Sequence, residues 1–203
     1  MLETLLCLNA RHVDELQLAE GFTPINVNTF DQLFRPDQLW LGPRPWLEQD
    51  EGYRQLVSYV VFRHGKDVLV YRRTPKGGES RLHGLLSVGV GGHVNLSDVV
   101  SIDGHVDIVP TLERACQREL AEEIECGKVL SLETIGVIKE SVNAVSRVHL
   151  GVVAECRLED KHLRLLDPGL VDATFMSPSE LEAHSSGMET WSAVLVAHLV
   201  RSR

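Results

Sequence analysis

The sequence predicts an α+β fold built on a mixed β-sheet. Runs rich in β-branched and aromatic residues, typical of strands, occur at LVSYVVFR, DVLVYRR and RVHLGVVAECRL. One segment, PTLERACQRELAEEIE, has the apolar spacing of an amphipathic helix. Strands and helices are interleaved without regular βαβ repeats, which favours an α+β arrangement.

Residues 1–50 are predicted to form an N-terminal extension that packs on a core domain of residues 51–203. A strand and a short helix are expected near the start, but the density of proline further on resists regular structure. The aromatic residues expected to anchor the extension are Phe30, Phe34, Trp40 and Trp46. A separate small domain is the alternative for this region.

The elements of the core domain follow in order from Gln55. Two strands joined by His64-Gly65-Lys66 are predicted to form a hairpin, and an apolar strand ends at the glycines of VGVGGHV. The long helix follows, with Pro110 in its first turn and Gly127 beyond its end. Further strands are expected, and then two helices at the C-terminus, SPSELEAH and TWSAVLVAHLV.

The composition excludes several classes of protein. The 203 residues carry a formal net charge of −9, which argues against nucleic-acid binding through a basic face. The four cysteines form no C-x-x-C pair, so a zinc ribbon or disulfide scaffold is not expected. No apolar run is long enough for a transmembrane helix and no signal peptide is evident, so we expect a cytoplasmic protein.

The long helix carries three glutamates that indicate a metal site. Glu119, Glu122 and Glu123 are spaced i, i+3 and i+4, which brings them to one side of the helix. Three like charges repel each other, and a hard divalent cation such as Mg²⁺ or Mn²⁺ would reverse that repulsion. A solvated acidic helix face is the alternative interpretation.

The glycines before the helix favour the metal interpretation. Gly89, Gly91 and Gly92 end a predicted strand, where glycine allows the backbone to approach a ligand closely. A glycine turn near an acidic helix can supply carboxylates and carbonyls for a metal and amides for phosphate oxygens. The G-x-G-x-x-G spacing of a dinucleotide-binding turn is absent.

These residues resemble the box of the Nudix (MutT-like) hydrolases, G-x5-E-x7-R-E-U-x-E-E-x-G-U, where U is a bulky aliphatic residue. The segment Arg118–Glu123 matches the R-E-U-x-E-E half in full. From Gly92, the acidic position falls on Asp98, and 12 extra residues then precede Arg118. From Gly104 the spacing is regular, but Pro110 takes the acidic position; we prefer Gly92. Glu125 and Cys126 replace the final glycine and aliphatic residue.

The resemblance covers roughly residues 55–200 and implies a Nudix-type α/β/α sandwich, similar to an uncharacterised bacterial branch with an insertion inside the box. It implies a Mg²⁺- or Mn²⁺-dependent enzyme that hydrolyses the pyrophosphate bond of a nucleoside diphosphate linked to another moiety. A homodimer is plausible by resemblance alone, and neither a nucleic acid nor a membrane is an expected partner.

The resemblance also assigns roles to residues of this chain. The metal ligands would be Glu119, Glu122, Glu123 and the Gly91 carbonyl. Glu122 could also orient the attacking water, Arg118 would brace the carboxylates, and the general base would be Glu140, with Glu155 as second candidate. Residues expected to bind substrate are Arg72, Arg73, Arg81, Gly92 and His93.

Two other functions remain open. Asp98 or Pro110 in place of Glu, together with the altered end of the box, is compatible with a non-catalytic Nudix-like nucleotide-binding or regulatory module. An isopentenyl-diphosphate type of isomerase would need a catalytic cysteine and glutamate in matching motifs, which the sequence does not display convincingly.

Overall fold

The structure is a computed structural model that describes residues 2–76 and 82–201. The strands in these residues are β1 (Thr4–Asn9), β2 (Gly21–Pro24), β3 (Leu39–Pro43), β4 (Tyr53–His64), β5 (Asp67–Arg73), β6 (Leu86–Ser87), β7 (Gly89–Val90), β8 (Val100–Ile102), β9 (His105–Asp107), β10 (Ile124–Cys126), β11 (Val129–Lys139), β12 (His149–Leu158), β13 (Leu163–Leu165) and β14 (Leu170–Met176). The helices are α1 (Ala10–Glu15), α2 (Val27–Leu33), α3 (Arg44–Leu47), α4 (Ile108–Glu123), α5 (Pro178–His184) and α6 (Thr190–Arg201). This composition, with one large mixed sheet, confirms the predicted α+β class.

The chain divides into two compact units that interleave along the sequence. The first unit contains the residues up to Tyr59, Gly92–Arg118 and Ile135–Val153. The second unit contains Val60–Gly91, Glu119–Thr134 and the chain from Ala154 on.

The first unit is built around an apolar core that includes side chains from the N-terminal region. In its part of the sheet β1 pairs antiparallel with both β3 and β4, while β2 pairs with β11. Buried residues up to position 39 pack with residues from later elements; the core contains Leu6, Leu8, Val13, Leu33, Phe34, Leu39, Leu56, Val94, Leu112, Val137 and Leu150, among others. The β8–β9 hairpin also belongs to this unit.

The N-terminal region contains more regular structure than its prolines suggest. It forms three strands and three helices, because the prolines lie at element ends, as Pro24 and Pro43 do, or in first helical turns, as Pro36 and Pro45 do. Asn9 and Asn26 cap α1 and α2 by accepting backbone N–H groups.

Two of the four predicted aromatic anchors pack in the core. Phe34 is buried in the core, and the Phe30 ring lies 4.7 Å from the Phe34 ring, centroid to centroid. The prediction is wrong for Trp40 and Trp46, whose exposed fractions are 51% and 72%. The domain boundary at residue 50 stays a prediction.

In the second unit, β14, β5 and β4 are neighbours in the sheet, and β10 pairs with β13. The predicted β4–β5 hairpin is confirmed: His64 pairs with Asp67, and Gly65 has a φ of +58° in the turn. Within β4 and β12, buried Arg63 and Glu155 form an ion pair with Nε and Oε2 3.0 Å apart.

The C-terminal helices begin where the sequence predicts. Ser177 and Glu180 form a capping box at the start of α5, with Pro178 in its first turn. No helix among the described residues is both long and apolar enough to cross a membrane.

Candidate active site

The carboxylate helix forms as predicted, and its three glutamates differ in exposure. Helix α4 begins at Ile108 and ends at Glu123, where the chain turns directly into β10. Glu119 is buried, with an exposed fraction of 7%, while Glu123 is half-buried and Glu122 is exposed. All three lie in the second unit. A simple solvated helix face would not bury two of its three carboxylates, because burying a charge without compensation is unfavourable.

Glu123 occupies an environment that disfavours its charge. Its Oε2 atom is buried and has no hydrogen-bond partner in the described structure. The pKa of this carboxyl is raised from 4.5 to about 7, chiefly by burial, with smaller contributions from the negative charges of Glu119, Asp167 and Glu122 and an opposing effect of Arg73. A buried acceptor next to like charges is the arrangement that a cation would stabilise.

Asp167 is an acidic neighbour of Glu123 that the sequence analysis missed. Its effect on the pKa of Glu123 is greater than that of Glu122. The Leu166 amide donates a hydrogen bond to the Glu123 carbonyl at 2.8 Å, which fixes this segment at the end of α4. In the sequence, Asp167-Pro168-Gly169 signals only a turn, in which Asp167 Oδ1 accepts from the Gly169 amide at 2.7 Å. Its proximity to Glu123 depends on tertiary folding.

The glycine strand lies in the same unit as the three glutamates, except for its last glycine. Gly91 has a φ of +153°, a conformation that residues with a side chain rarely adopt. The Tyr71 hydroxyl donates to the Gly89 carbonyl at 2.5 Å, which fixes the strand just before the turn. Gly92 belongs to the first unit, where the Ser58 amide donates a hydrogen bond to its carbonyl at 2.9 Å.

Arg73 is a fixed cation in the second unit. Its Nη2 donates to the Tyr71 hydroxyl at 3.0 Å, and its Nε donates to Ser87 Oγ at 3.3 Å. Ser87 in turn donates to Glu189 Oε1 at 3.2 Å, at the start of α6. The guanidinium is therefore held by a buried polar network, and its charge acts on Glu123.

The other two predicted substrate-binding arginines, Arg72 and Arg81, give less support for a phosphate-binding role. Arg72 is exposed; its Nη1 donates to the Gly84 carbonyl at 2.7 Å, and its Nε lies 3.7 Å from an Asp172 oxygen. Arg81 lies outside the described residues.

In the first unit, Arg118 is anchored by Asp98. Its Nε and Nη2 donate to the two Asp98 carboxylate oxygens at 2.9 and 2.8 Å, and Nη2 also donates to the His93 carbonyl at 2.9 Å. Asp98 is buried and also accepts the Asn95 amide at 2.8 Å. Asp98 thus takes part in positioning Arg118, a contact that the sequence did not predict.

The extra residues between these partners form the β8–β9 hairpin. Asp103 and Gly104 have φ values of +51° and +79° at its turn, and the surrounding residues are exposed. The hairpin lies between Asp98 and Arg118 in the chain without separating these two side chains.

His93 and His149 form a pair within the first unit. Their Nε2 atoms lie 3.0 Å apart, and His149 Nδ1 lies 2.7 Å from the Val145 carbonyl. Burial and, to a smaller extent, the charges of His149, Arg44 and Arg118 lower the pKa of His93 from 6.5 to about 3, which favours its neutral form at physiological pH. Its Nε2 is occupied by His149, which limits its availability for a ligand.

The two candidate bases have different surroundings. Glu140 is buried in the first unit, directly after β11. Glu155 is buried between two arginines, with Arg63 at 3.0 Å and Arg157 at 2.6 Å. A carboxylate neutralised by two guanidinium groups is a poor base, which disfavours Glu155 as the second candidate. Across residues 2–76 and 82–201, no three acidic, histidine or cysteine side chains are already arranged as a metal-binding group.

Comparison with known proteins identifies one close sequence relative and several structural ones. The protein YmaB of Bacillus subtilis is 32% identical over 154 residues, which cover 73% of this chain and 72% of YmaB. The crystal structure of Tm1382, which is described as a Nudix hydrolase, matches with a TM-score of 0.80 and 28% identity, over 98% of each chain. The NUDIX domain of Shewanella oneidensis NrtR, solved with ADP ribose, shares the fold at a TM-score of 0.50 and 14% identity, over 71% of this chain and 86% of that one. No protein-family model matches the chain.

Proposed function

Because the chain belongs to the Nudix superfamily, we propose that it is a metal-dependent hydrolase of the pyrophosphate bond in a nucleoside diphosphate linked to another moiety. Its Nudix neighbours support hydrolase activity in general. The single observation that carries the proposal is the buried Oε2 of Glu123, which has no hydrogen-bond partner among the described residues and lies near three further carboxylates. We also propose a cytoplasmic location and a homodimer.

We propose Glu119, Glu122, Glu123 and the Gly91 carbonyl as the ligands of Mg²⁺ or Mn²⁺. The donor set fits such a cation, because hard divalent ions prefer oxygen ligands and Glu123 Oε2 is a buried acceptor without a partner. When bound, the cation would neutralise the charge of the diphosphate and lower the pKa of a coordinated water.

The protein side chains would then position the water and move its proton. Arg118, fixed by Asp98, holds the helix just before Glu119. Glu122 is exposed and could orient the attacking water, while Glu140 remains our predicted general base. Asp167 is a second candidate base, because its carboxylate acts on Glu123.

For substrate binding we propose Arg72, Arg73, Arg81, Gly92 and His93. The strongest support concerns Arg73, a preoriented cation whose charge acts on Glu123 and which could stabilise a phosphate oxygen. A screen of substrates would identify the group that is linked to the nucleoside diphosphate.

The test is hydrolysis of a panel of nucleotide sugars, dinucleotides, ADP-ribose and nucleoside triphosphates with Mg²⁺ or Mn²⁺. Glu123→Gln should reduce turnover by at least about 100-fold, in line with losing a charged group that acts on the reacting centre. Glu113→Gln is the matched control, because it removes an exposed carboxylate from the same helix. Retained activity in Glu123→Gln would place the chemistry elsewhere.

The same panel distinguishes the non-catalytic alternative. Binding of a nucleotide by calorimetry, without turnover under any metal, would favour a regulatory module. The Asp98–Arg118 pair weakens the original argument for that alternative, because the substituted acidic position still anchors Arg118.

A further inference from the structure

A cavity of about 220 Å³ lies within the first unit, formed by the N-terminal region. Its wall contains the aromatic side chains of Trp40, Trp46 and Tyr53, and its polar groups include the Asp50 carboxylate and the Cys7 thiol. Trp40 and Trp46 retain exposed fractions of 51% and 72%. Large aromatic side chains left open around a concave surface indicate a binding site more often than a packing role.

One face of the sheet supplies the floor of this cavity. Cys7 pairs directly with Trp40 on β3 and with Gln55 on β4, so these three side chains share a face. Gln55 is fully buried, and both polar atoms of its side chain lack a hydrogen-bond partner in the described structure. This face therefore combines the aromatic surface of the cavity with a buried amide that has no hydrogen-bond partner among the described residues, although Gln55 itself does not line the cavity.

The charge around the cavity is negative. Among the described residues that line it, none is a lysine, arginine or histidine, and Asp50 is the one charged residue. The nearby Arg44 is bonded to Glu48 at 2.8 Å and to Glu3 at 2.9 Å, and it is not part of the wall. Burial and, to a smaller extent, the Asp50 charge raise the pKa of Cys7 to about 12. An anionic ligand such as a phosphate is therefore disfavoured.

We propose that this cavity binds the alkylated ammonium group of a small organic cation. The faces of Trp40, Trp46 and Tyr53 would attract the cation through their ring quadrupoles, and Asp50 would supply the opposite charge. An alkylated ammonium suits the site because its methyl groups contact apolar walls without needing hydrogen bonds. A bare ammonium would replace only part of its hydration there, because Asp50 is the one charged acceptor among the described lining residues.

The test is a titration of the full chain with choline chloride, in which binding is measured by tryptophan fluorescence and by calorimetry. The matched neutral probe is 3,3-dimethylbutan-1-ol, which has the shape of choline without its charge. We expect choline to bind and the neutral probe to bind at least about fivefold more weakly, the factor that a cation–π contact contributes.

Variants locate the site. Asp50→Asn should weaken choline binding at least about fivefold while keeping an oxygen to accept the Gly52 amide. Trp46→Leu should weaken it similarly, and its exposed position should leave the fold intact. Asp172→Asn is the control, since it removes the same charge from an exposed side chain of β14.

Each other result would overturn the proposal. Equal binding of the neutral probe would mean a purely apolar pocket, and absence of binding by either probe would mean no such site. A molecular mass that doubles with concentration, and that Trp46→Leu returns to the monomer value, would assign this face to a second copy of the chain.

Discussion

Arg118 and Asp98 are 20 positions apart in the chain, yet the Arg118 guanidinium donates hydrogen bonds at 2.9 and 2.8 Å to both Asp98 carboxylate oxygens. Such bidentate pairs are among the stronger and more directional contacts in proteins. The pair joins the segment after the glycine turn to the helix that carries the acidic cluster.

Asp98→Asn should destabilise the protein by about 2–4 kcal/mol. Asparagine keeps an acceptor for the Asn95 amide but leaves the partly buried Arg118 without its counter-charge. The free energy of unfolding in urea measures the loss. Asp103→Asn, at the exposed hairpin turn, is the control and should change stability by less than about 0.5 kcal/mol. A loss as small as the control's would contradict the assigned role.

Glu123→Gln should stabilise the metal-free protein at pH 8 by about 1–3 kcal/mol and have little effect near pH 4.5. The folded-state pKa of Glu123 is about 7, above the ordinary 4.5, so its contribution to stability is lost as the pH rises between these values. Glutamine carries no charge and avoids that loss. Thermal unfolding of both proteins with a chelator at several pH values measures the difference in stability. A gain in stability that does not depend on pH would contradict the raised pKa of Glu123 as its cause.

Glu155→Gln should cost about 3–5 kcal/mol, because it leaves the buried Arg63 without its ion-pair partner. The variant should still hydrolyse any substrate found, since Glu155 is not placed in the chemistry. Urea unfolding and turnover below the unfolding transition separate the two effects. A catalytic defect in a stably folded variant would restore Glu155 as a candidate base.

Gly104→Ala should destabilise the protein by about 1 kcal/mol and leave turnover unchanged. The φ of +79° is unfavourable for alanine, although the added methyl group would meet no atom within 4 Å. Chemical denaturation measures the change. The substitution Ser101→Ala is a matched exposed control in the same hairpin, and equal effects of the two would mean that backbone strain is not the cause.

The parts of the fold that depend on local pattern were predictable. Helix α4 and the side that its glutamates share follow from helical spacing, and the β4–β5 hairpin follows from strand-like runs around His64-Gly65-Lys66. The β8–β9 hairpin was missed although Asp103-Gly104 is a strong turn signal, because the flanking strands have only three residues each.

Other features depend on tertiary packing. Asp167 approaches Glu123 because the segment after β13 bonds to the end of α4, and nothing local to Asp167 indicates this. Trp40 and Trp46 were expected to be buried on hydrophobicity alone, but β1, β3 and β4 leave them around an open cavity. The role of Asp98 became evident only with the position of its partner.

The β8–β9 hairpin lies in the chain between Asp98 and Arg118. Nineteen residues separate the two partners in the sequence, yet their side-chain atoms lie 2.8 Å apart. The contact therefore depends on where the two partners lie in space and not on their spacing along the chain. A search for this site by a fixed residue spacing would miss it.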